Sequence, residues 1–272
     1  MSRRKPFRKN HPAKPAHSGP AGGSGSGPGG SFWIYGHYPV TAALANPRRR
    51  IRRLLATGPA AAEFLTPLKL PQNPSLERIE ALDLASLLPA GSVHQGLAAL
   101  VEPLPMVDLA ELLEDIPANA PAHLVVLDQV TDPHNVGAIL RSASAFGAAG
   151  LVLTERHAAP ESGVLAKAAS GALDHLPMVR VVNLARAIEA VKQAGFWCLG
   201  LAGEGEMTLA EAKPSGRIAL VLGAEGTGLR RLTREHCDQI LRLPTGGAID
   251  QLNVSNAAAV ALYELVRDRT TR

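Results

Sequence analysis

Leu124-Val125-Val126-Leu127-Asp128-Gln129-Val130-Thr131-Asp132-Pro133-His134-Asn135-Val136-Gly137-Ala138-Ile139-Leu140-Arg141-Ser142 is the segment whose reading decides the fold class. Its opening apolar run reads as a strand buried on both faces, and Asn135 to Phe146 reads as a helix. Working downstream, the alternation continues. Strands at Leu151–Leu153, Val179–Val182, Phe196–Leu201, Ile218–Leu222 and Ile240–Leu243 are interleaved with helices at Gly163–Ala169, Leu184–Ala194, Leu229–His236 and Asn253–Val266. Short apolar strands alternating with helices predict an α/β fold with a mostly parallel sheet covered on both faces. Ligands of such sheets bind beyond the carboxyl ends of the strands, so the loops that follow strands are where chemistry is expected.

Upstream the pattern is less regular. Order is expected from Phe32-Trp33-Ile34-Tyr35-Gly36, followed by a helix over Pro39–Ala45 that Asn46-Pro47 stops, and a strand over Ile51–Ala56. Helical patches between Glu77 and Leu88 and an apolar segment from Ser92 to Val101 complete a small α/β domain, residues 32–104. A linker, 105–121, holds a short helix at Asp108–Asp115 and leads to the larger domain, 122–272. Residues 1–31 are rich in Lys, Arg, Pro, Gly and Ser and are expected to be disordered, because they offer too little apolar surface to offset the entropy of ordering. Two roles stand open for them: a tether to RNA phosphates, or a solubilising extension.

Charge is distributed unevenly. The 272 residues carry a formal +4, but Arg3, Arg4, Lys5, Arg8, Lys9 and Lys14 give the first 31 residues +6, so the remainder carries −2. Hydrophobic residues make up 46%, which excludes wholesale disorder, and with aromatics at only 4% the core must be largely aliphatic. No apolar run reaches the roughly 18 residues of a membrane span, and Arg141 interrupts the longest small-residue stretch, Val136 to Thr154. The N-terminus lacks the apolar region of a secretory signal. Cys198 and Cys237 read as two reduced thiols, so a soluble, cytoplasmic protein is expected. The nine histidines lack ligand spacing, and no metal is expected.

Three loops carry unusual residues. In the first, Asp132 and Asn135 suit the N-cap of the following helix, while Arg141 stands among small and apolar residues, where a charge needs a partner or a solvent-facing site. Asn135 and Arg141 lie six apart, about 120° from one face on a regular helix. The second loop is Leu222-Gly223-Ala224-Glu225-Gly226-Thr227-Gly228-Leu229. Its glycines allow close backbone approach to a ligand, but their order is neither the dinucleotide fingerprint nor a phosphate loop, so neither NAD nor a nucleoside triphosphate is favoured and the glycine fingerprint of a nucleotide-dependent dehydrogenase is missing. The third loop is Leu243-Pro244-Thr245-Gly246-Gly247-Ala248-Ile249-Asp250-Gln251-Leu252-Asn253-Val254-Ser255-Asn256-Ala257, in which Asn253 or Ser255 opens an Ala-rich helix able to pack tightly on another helix, within the chain or across a dimer.

In this order and spacing the three loops resemble the three motifs of the SpoU (TrmH-type) RNA 2′-O-ribose methyltransferases of the SPOUT superfamily. The front domain resembles the small, L30e-like RNA-binding domain of the RlmB-type members through Tyr35-Gly36-His37-Tyr38-Pro39-Val40 and His94-Gln95-Gly96. The resemblance implies a deep trefoil knot in the C-terminal part of the sheet, S-adenosylmethionine as cofactor, a homodimer, and 2′-O-methylation of a guanosine of large-subunit (23S) rRNA. It places Asn135 and Arg141 in the first motif, Glu225 in the second and Asn253 in the third, with the backbone of Gly223, Leu243 and Leu252 holding the cofactor. Gln251 departs from the serine common in the family. For Arg141 two roles stay open: general base, unusual for a guanidine whose pKa exceeds ~12, or bidentate grip of a phosphate beside the reacting hydroxyl. RNA-backbone contact is expected from Arg48, Arg49, Arg50, Arg52 and Arg53 in the small domain, and from Arg230, Arg231 and Arg234 after the second motif. The competing functions are methylation of tRNA, and a catalytically silent rRNA-binding assembly factor.

Overall fold

The computed structural model describes residues 30–65, 71–72, 74–248 and 251–268. The expected basic tail therefore lies almost wholly outside the described residues, as does Asp250. Its boundary moves slightly, since Ser31 is already fully buried.

The first unit runs β1 (Phe32–Tyr35), α1 (His37–Ala45), β2 (Ile51–Ala56), α2 (Gly58–Leu65), β3 (Leu76–Arg78), α3 (Ala81–Ser86) and β4 (Leu97–Val101). Its sheet has the order β1-β4-β2-β3, with β4 antiparallel to both neighbours and β3 parallel to β2. Two expectations are corrected here. Glu77 and Arg78, read as helical, belong with Leu76 to an exposed edge strand, and the helix shrinks to α3. The apolar segment read over Ser92–Val101 becomes a strand only from Leu97, because Gln95 and Gly96 both adopt positive φ and turn the chain.

The linker helix α4 (Leu109–Asp115) leads to β5 (Ala122–Asp128), α5 (Pro133–Ala145), β6 (Gly150–Thr154), α6 (Gly163–Ala169), β7 (Met178–Val181), α7 (Leu184–Gln193) and β8 (Trp197–Leu201). Then follow β9 (Met207–Thr208), α8 (Leu209–Ala212), β10 (Arg217–Gly223), α9 (Arg231–His236), β11 (Gln239–Arg242) and α10 (Val254–Val266). The β9–α8 pair was not expected. The seven strands form one sheet, β7-β6-β5-β10-β8-β11-β9, in which every pair is parallel. Alternate residues feed opposite cores, as period-two side chains must. Val125, Leu127, Leu220 and Leu222 face α5, α6 and α10, whereas Leu124, Val126, Ala219 and Val221 face the side of α4 and α7. Although β8 precedes β10 in the chain, β10 inserts between β5 and β8.

The two sheets are tightly joined. Phe32, Ile34 and Leu44 share one apolar cluster with Leu165, Ala166 and Leu173 of the larger unit. A Cβ on Gly163 would lie 2.3 Å from the Trp33 carbonyl oxygen, so only glycine allows α6 to approach β1 this closely. Arg49 crosses the seam beneath them. Among the described residues no helix is long and apolar enough to cross a membrane.

Candidate active site

Because β5, β10, β8 and β11 are adjacent and parallel, their carboxyl ends bring together the loops that follow them. At the end of β5, the Asp132 carboxylate caps α5 by accepting from the His134 N–H at 3.0 Å, with Pro133 in the first helical turn. The cap thus falls to Asp132, and Asn135 sits inside the first turn with its side chain available. Its Nδ2 donates to Glu225 Oε1 at 3.0 Å, and its Oδ1 accepts from Asn253 Nδ2, also at 3.0 Å. Asn253 Nδ2 donates to Glu225 Oε1 as well, closing a three-membered hydrogen-bonded ring. The other side of the Asn253 amide caps α10, accepting from the Ser255 N–H at 2.9 Å and from the Ser255 hydroxyl at 2.6 Å. Asn253 is therefore a helix cap and a member of the ring at once.

Backbone geometry shapes the loop that carries Glu225. A Cβ on Gly223 would lie 2.1 Å from the carbonyl carbon of Gly228, so this turn closes only on glycine. The Gly228 N–H donates back to the Ala224 carbonyl at 2.9 Å. The loop is tied to β5 by Asp128, whose buried carboxylate accepts from the Arg230 backbone N–H at 2.9 Å and from its Nε at 2.6 Å. Sequence reasoning missed Asp128, although an acidic residue ending an otherwise apolar strand was a signal that it needs a cation nearby.

A third wall was also missed. The segment Ala202-Gly203-Glu204-Gly205-Glu206 leaves β8 between the other two loops, and its glycine pair was the available signal. Gly205 lies so close to β11 that a Cβ would be 2.5 Å from the Leu241 carbonyl carbon, and Arg242 holds the segment by donating to the Gly205 and Glu206 carbonyls. Among their described residues, the loops 202–206, 224–230 and 243–253 hold the carboxylates Glu204, Glu206 and Glu225 and the cation Arg230; Asp128 neutralises Arg230, and Arg234 pairs with Glu204. Apolar side chains border them: Leu243 is half-buried and Leu252 is 46% exposed. Backbone groups, apolar edges and the Glu225 carboxylate suit a ligand with a flat apolar part and a positive centre.

The remaining expected residues are spread out. Arg141 does not join the ring; it is solvent-exposed on α5, and among the described residues its side chain has no hydrogen-bond or ion-pair partner. In the arginine run, Arg49 is 1% exposed and its guanidinium is held by Asp174 at 2.7 Å, Glu161 at 3.2 Å and the Glu102 carbonyl at 2.8 Å. This corrects its expected role at RNA: burial puts it out of reach. Arg52 pairs with Glu102 and Arg53 with Glu77, whereas Arg48 and Arg50 are exposed. Arg231 pairs with Glu235 and Arg234 with Glu204. Neither thiol belongs to the site, since burial pushes both Cys198 and Cys237 up to about 12 and keeps them protonated. Among the described residues no group of three His, Cys, Asp or Glu side chains could hold a metal ion.

Comparison with known proteins places these loops in context. Residues 122–263 match the SpoU rRNA Methylase family. The chain is 38% identical over 255 residues to the 23S rRNA (guanosine-2′-O-)-methyltransferase RlmB of Pseudomonas putida, covering 88% of this chain and 97% of that one. It is 36% identical over 269 residues to an uncharacterized tRNA/rRNA methyltransferase of Synechocystis, covering 97% of this chain and 68% of that one. Among solved structures it is similar to the SpoU methyltransferase AviRb from Streptomyces viridochromogenes in complex with AdoMet, with a TM-score of 0.72 and 30% identity over 88% of this chain and 91% of that one.

Proposed function

This chain belongs to the SpoU rRNA methylase family, and from that premise we propose that it transfers a methyl group from S-adenosylmethionine to the 2′-oxygen of a guanosine ribose in 23S rRNA. The observation that carries the proposal is the hydrogen-bonded ring of Asn135, Glu225 and Asn253, assembled from three distant segments at the carboxyl ends of the sheet.

The residues present fit the cofactor. Gly223, Leu243 and Leu252 offer backbone groups beside apolar side chains, and the Glu225 carboxylate favours its positive sulfur. When bound, S-adenosylmethionine supplies an activated methyl group. Everything else falls to the chain. The ring fixes three loops against one another, so that an acceptor oxygen can be held in line with the donor, and positioning of this kind supplies much of the acceleration. Arg141 has an open guanidinium fork that can grip an RNA phosphate bidentately and orient the hydroxyl.

Several finer assignments belong to the same proposal. The insertion of β10 between β5 and β8, together with the packing of α10 back onto α5, supports a deep trefoil knot in the C-terminal part of the sheet. The exposed Val260 and Tyr263 of α10 support a homodimer in which this face is covered. Residues 32–104 act as the RNA substrate-binding domain, 105–121 as linker and 122–272 as catalytic domain, with Arg48 and Arg50 exposed cations of the small unit's arginine run.

The test is to map 2′-O-methyl groups in 23S rRNA and tRNA from cells with and without the protein, and to repeat the transfer with purified protein, S-adenosylmethionine and unmodified transcripts. The expected result is one guanosine of 23S rRNA that loses its mark and regains it in vitro. A mark lost from tRNA alone, or binding of RNA without transfer, would overturn the proposal.

A further inference from the structure

Two short motifs of the small unit have no part in the ring of site residues, yet the fold brings them together against the catalytic unit. The turn His94-Gln95-Gly96 is held in an unusual conformation, with φ +54° at Gln95 and +78° at Gly96. A non-glycine residue in the left-handed region is uncommon and persists where its surroundings impose it. Here the strain aims both ends of Gln95 at His37. The Gln95 carbonyl accepts from His37 Nε2–H at 3.1 Å, and Gln95 Oε1 accepts from the His37 backbone N–H at 3.2 Å.

Gly36 makes the approach possible. With φ +92°, it leaves room that a Cβ would fill, 2.5 Å from Lys167 Nζ and 2.9 Å from Gln95 Oε1. Lys167 comes from α6 of the catalytic unit and donates to Gln95 Oε1 at 3.4 Å, with Nζ 6.0 Å from the Tyr35 ring centroid. Among the described residues it has no carboxylate partner, and burial alone pulls its pKa down. On the outer side, the His37 ring is stacked on Phe64 with centroids 4.0 Å apart and planes 15° from parallel. Its neighbour Tyr38 is 71% exposed, a large value for a ring in a chain with so few aromatics.

A lysine without a carboxylate partner, together with accessible rings on the same face of the small unit, is a combination that binds an unpaired nucleotide: phosphate on the cation, base on a ring. We propose that Tyr38, the His37–Phe64 stack and Lys167 form a stacking subsite for one unpaired nucleotide of the substrate RNA, lying across the seam between the two units. This proposal rests on the RNA-methylating function above and names the kind of RNA that the seam takes, single-stranded rather than duplex. Coming from α6, Lys167 would link recognition by the small unit to the helix that packs against α5, the helix bearing Asn135 and Arg141.

The test uses the full chain with Tyr38→Ala, Tyr38→Phe and Lys167→Met. Tyr38 is surface-exposed, so its removal should leave the thermal midpoint unchanged and isolate the binding effect. Tyr38→Ala and Lys167→Met are each expected to raise KM for an unmodified 23S rRNA transcript about tenfold. Both kcat and S-adenosylmethionine affinity should be unchanged, and Tyr38→Phe should behave as wild type. Binding of a short single-stranded RNA oligonucleotide should weaken in the same variants, while binding of the matching duplex should not. Unchanged RNA affinity in both variants, or equal losses for single strand and duplex, would overturn the subsite. Should the wild type bind RNA with this pattern but transfer no methyl group, the subsite would stand and the proposed reaction would fall.

Discussion

Asn253 illustrates how one side chain serves two purposes because an amide has a donor end and an acceptor end. Its oxygen caps α10 while its nitrogen bridges Asn135 and Glu225. Asn253→Asp keeps the capping oxygen but sets a second carboxylate against Glu225, so folding stability should change by less than about 1 kcal/mol while methyl transfer is lost. Wild-type turnover in that variant would leave Asn253 as a cap only. Arg141→Ala should abolish transfer and leave S-adenosylmethionine binding intact; retention of even about a tenth of wild-type turnover would remove Arg141 from the site. At Arg49 the expectation is structural instead. Arg49→Met strands the carboxylates of Asp174 and Glu161, whose side chains are only 2% and 14% exposed, and should lower stability by about 3–5 kcal/mol in denaturant unfolding. A loss under about 1 kcal/mol would mean that water reaches the seam.

At the scale of elements, those with a strong local period could be read from the sequence, and the short ones could not. The segment opening α5 carries Asp132 and Pro133 as start signals, and the strands β5, β6 and β10 are continuous apolar runs. By contrast, β3 and β9 have three and two residues, too few for any period to register, and exist because partner strands offer them hydrogen bonds. Gly137 tests packing between elements. Inside a helix, alanine is normally preferred to glycine by about 1 kcal/mol. Here, however, the added Cβ would sit 2.5 Å from the Leu165 carbonyl oxygen and 2.6 Å from Ala168 Cβ, where α6 crosses α5. Gly137→Ala is therefore expected to destabilise by about 1–3 kcal/mol, measured by thermal or denaturant unfolding. A stabilised variant would show that α6 is free to shift.

Over the whole molecule, the net charge of +4 pointed toward RNA, but the folded chain determines which cations can reach it. Arg49 is buried and Arg230 neutralises Asp128, while Arg48 and Arg50 remain exposed. Replacing Arg48 and Arg50 together by Gln should flatten the dependence of log RNA affinity on log salt by about 1.5 units in total. The same change at Arg52 and Arg53, each already paired with a carboxylate, should have a smaller effect. An unchanged slope in the first variant would move phosphate recognition away from this run.

What the sequence by itself determined is the α/β class, the parallel sheet and the three loops that build the candidate site, because apolar periodicity and turn residues act over a few neighbouring positions. What only the tertiary structure decided is which polar groups meet. Asn135 and Glu225 are 90 residues apart, Asn135 and Asn253 are 118 apart, and Arg49 finds Asp174 across 125. Those meetings depend on the order of strands in the sheet, with β10 placed between β5 and β8, and on the docking of the small unit. A charge becomes a buried tie or a free contact for RNA only through neighbours that the chain brings from elsewhere, and no local pattern along the sequence records them.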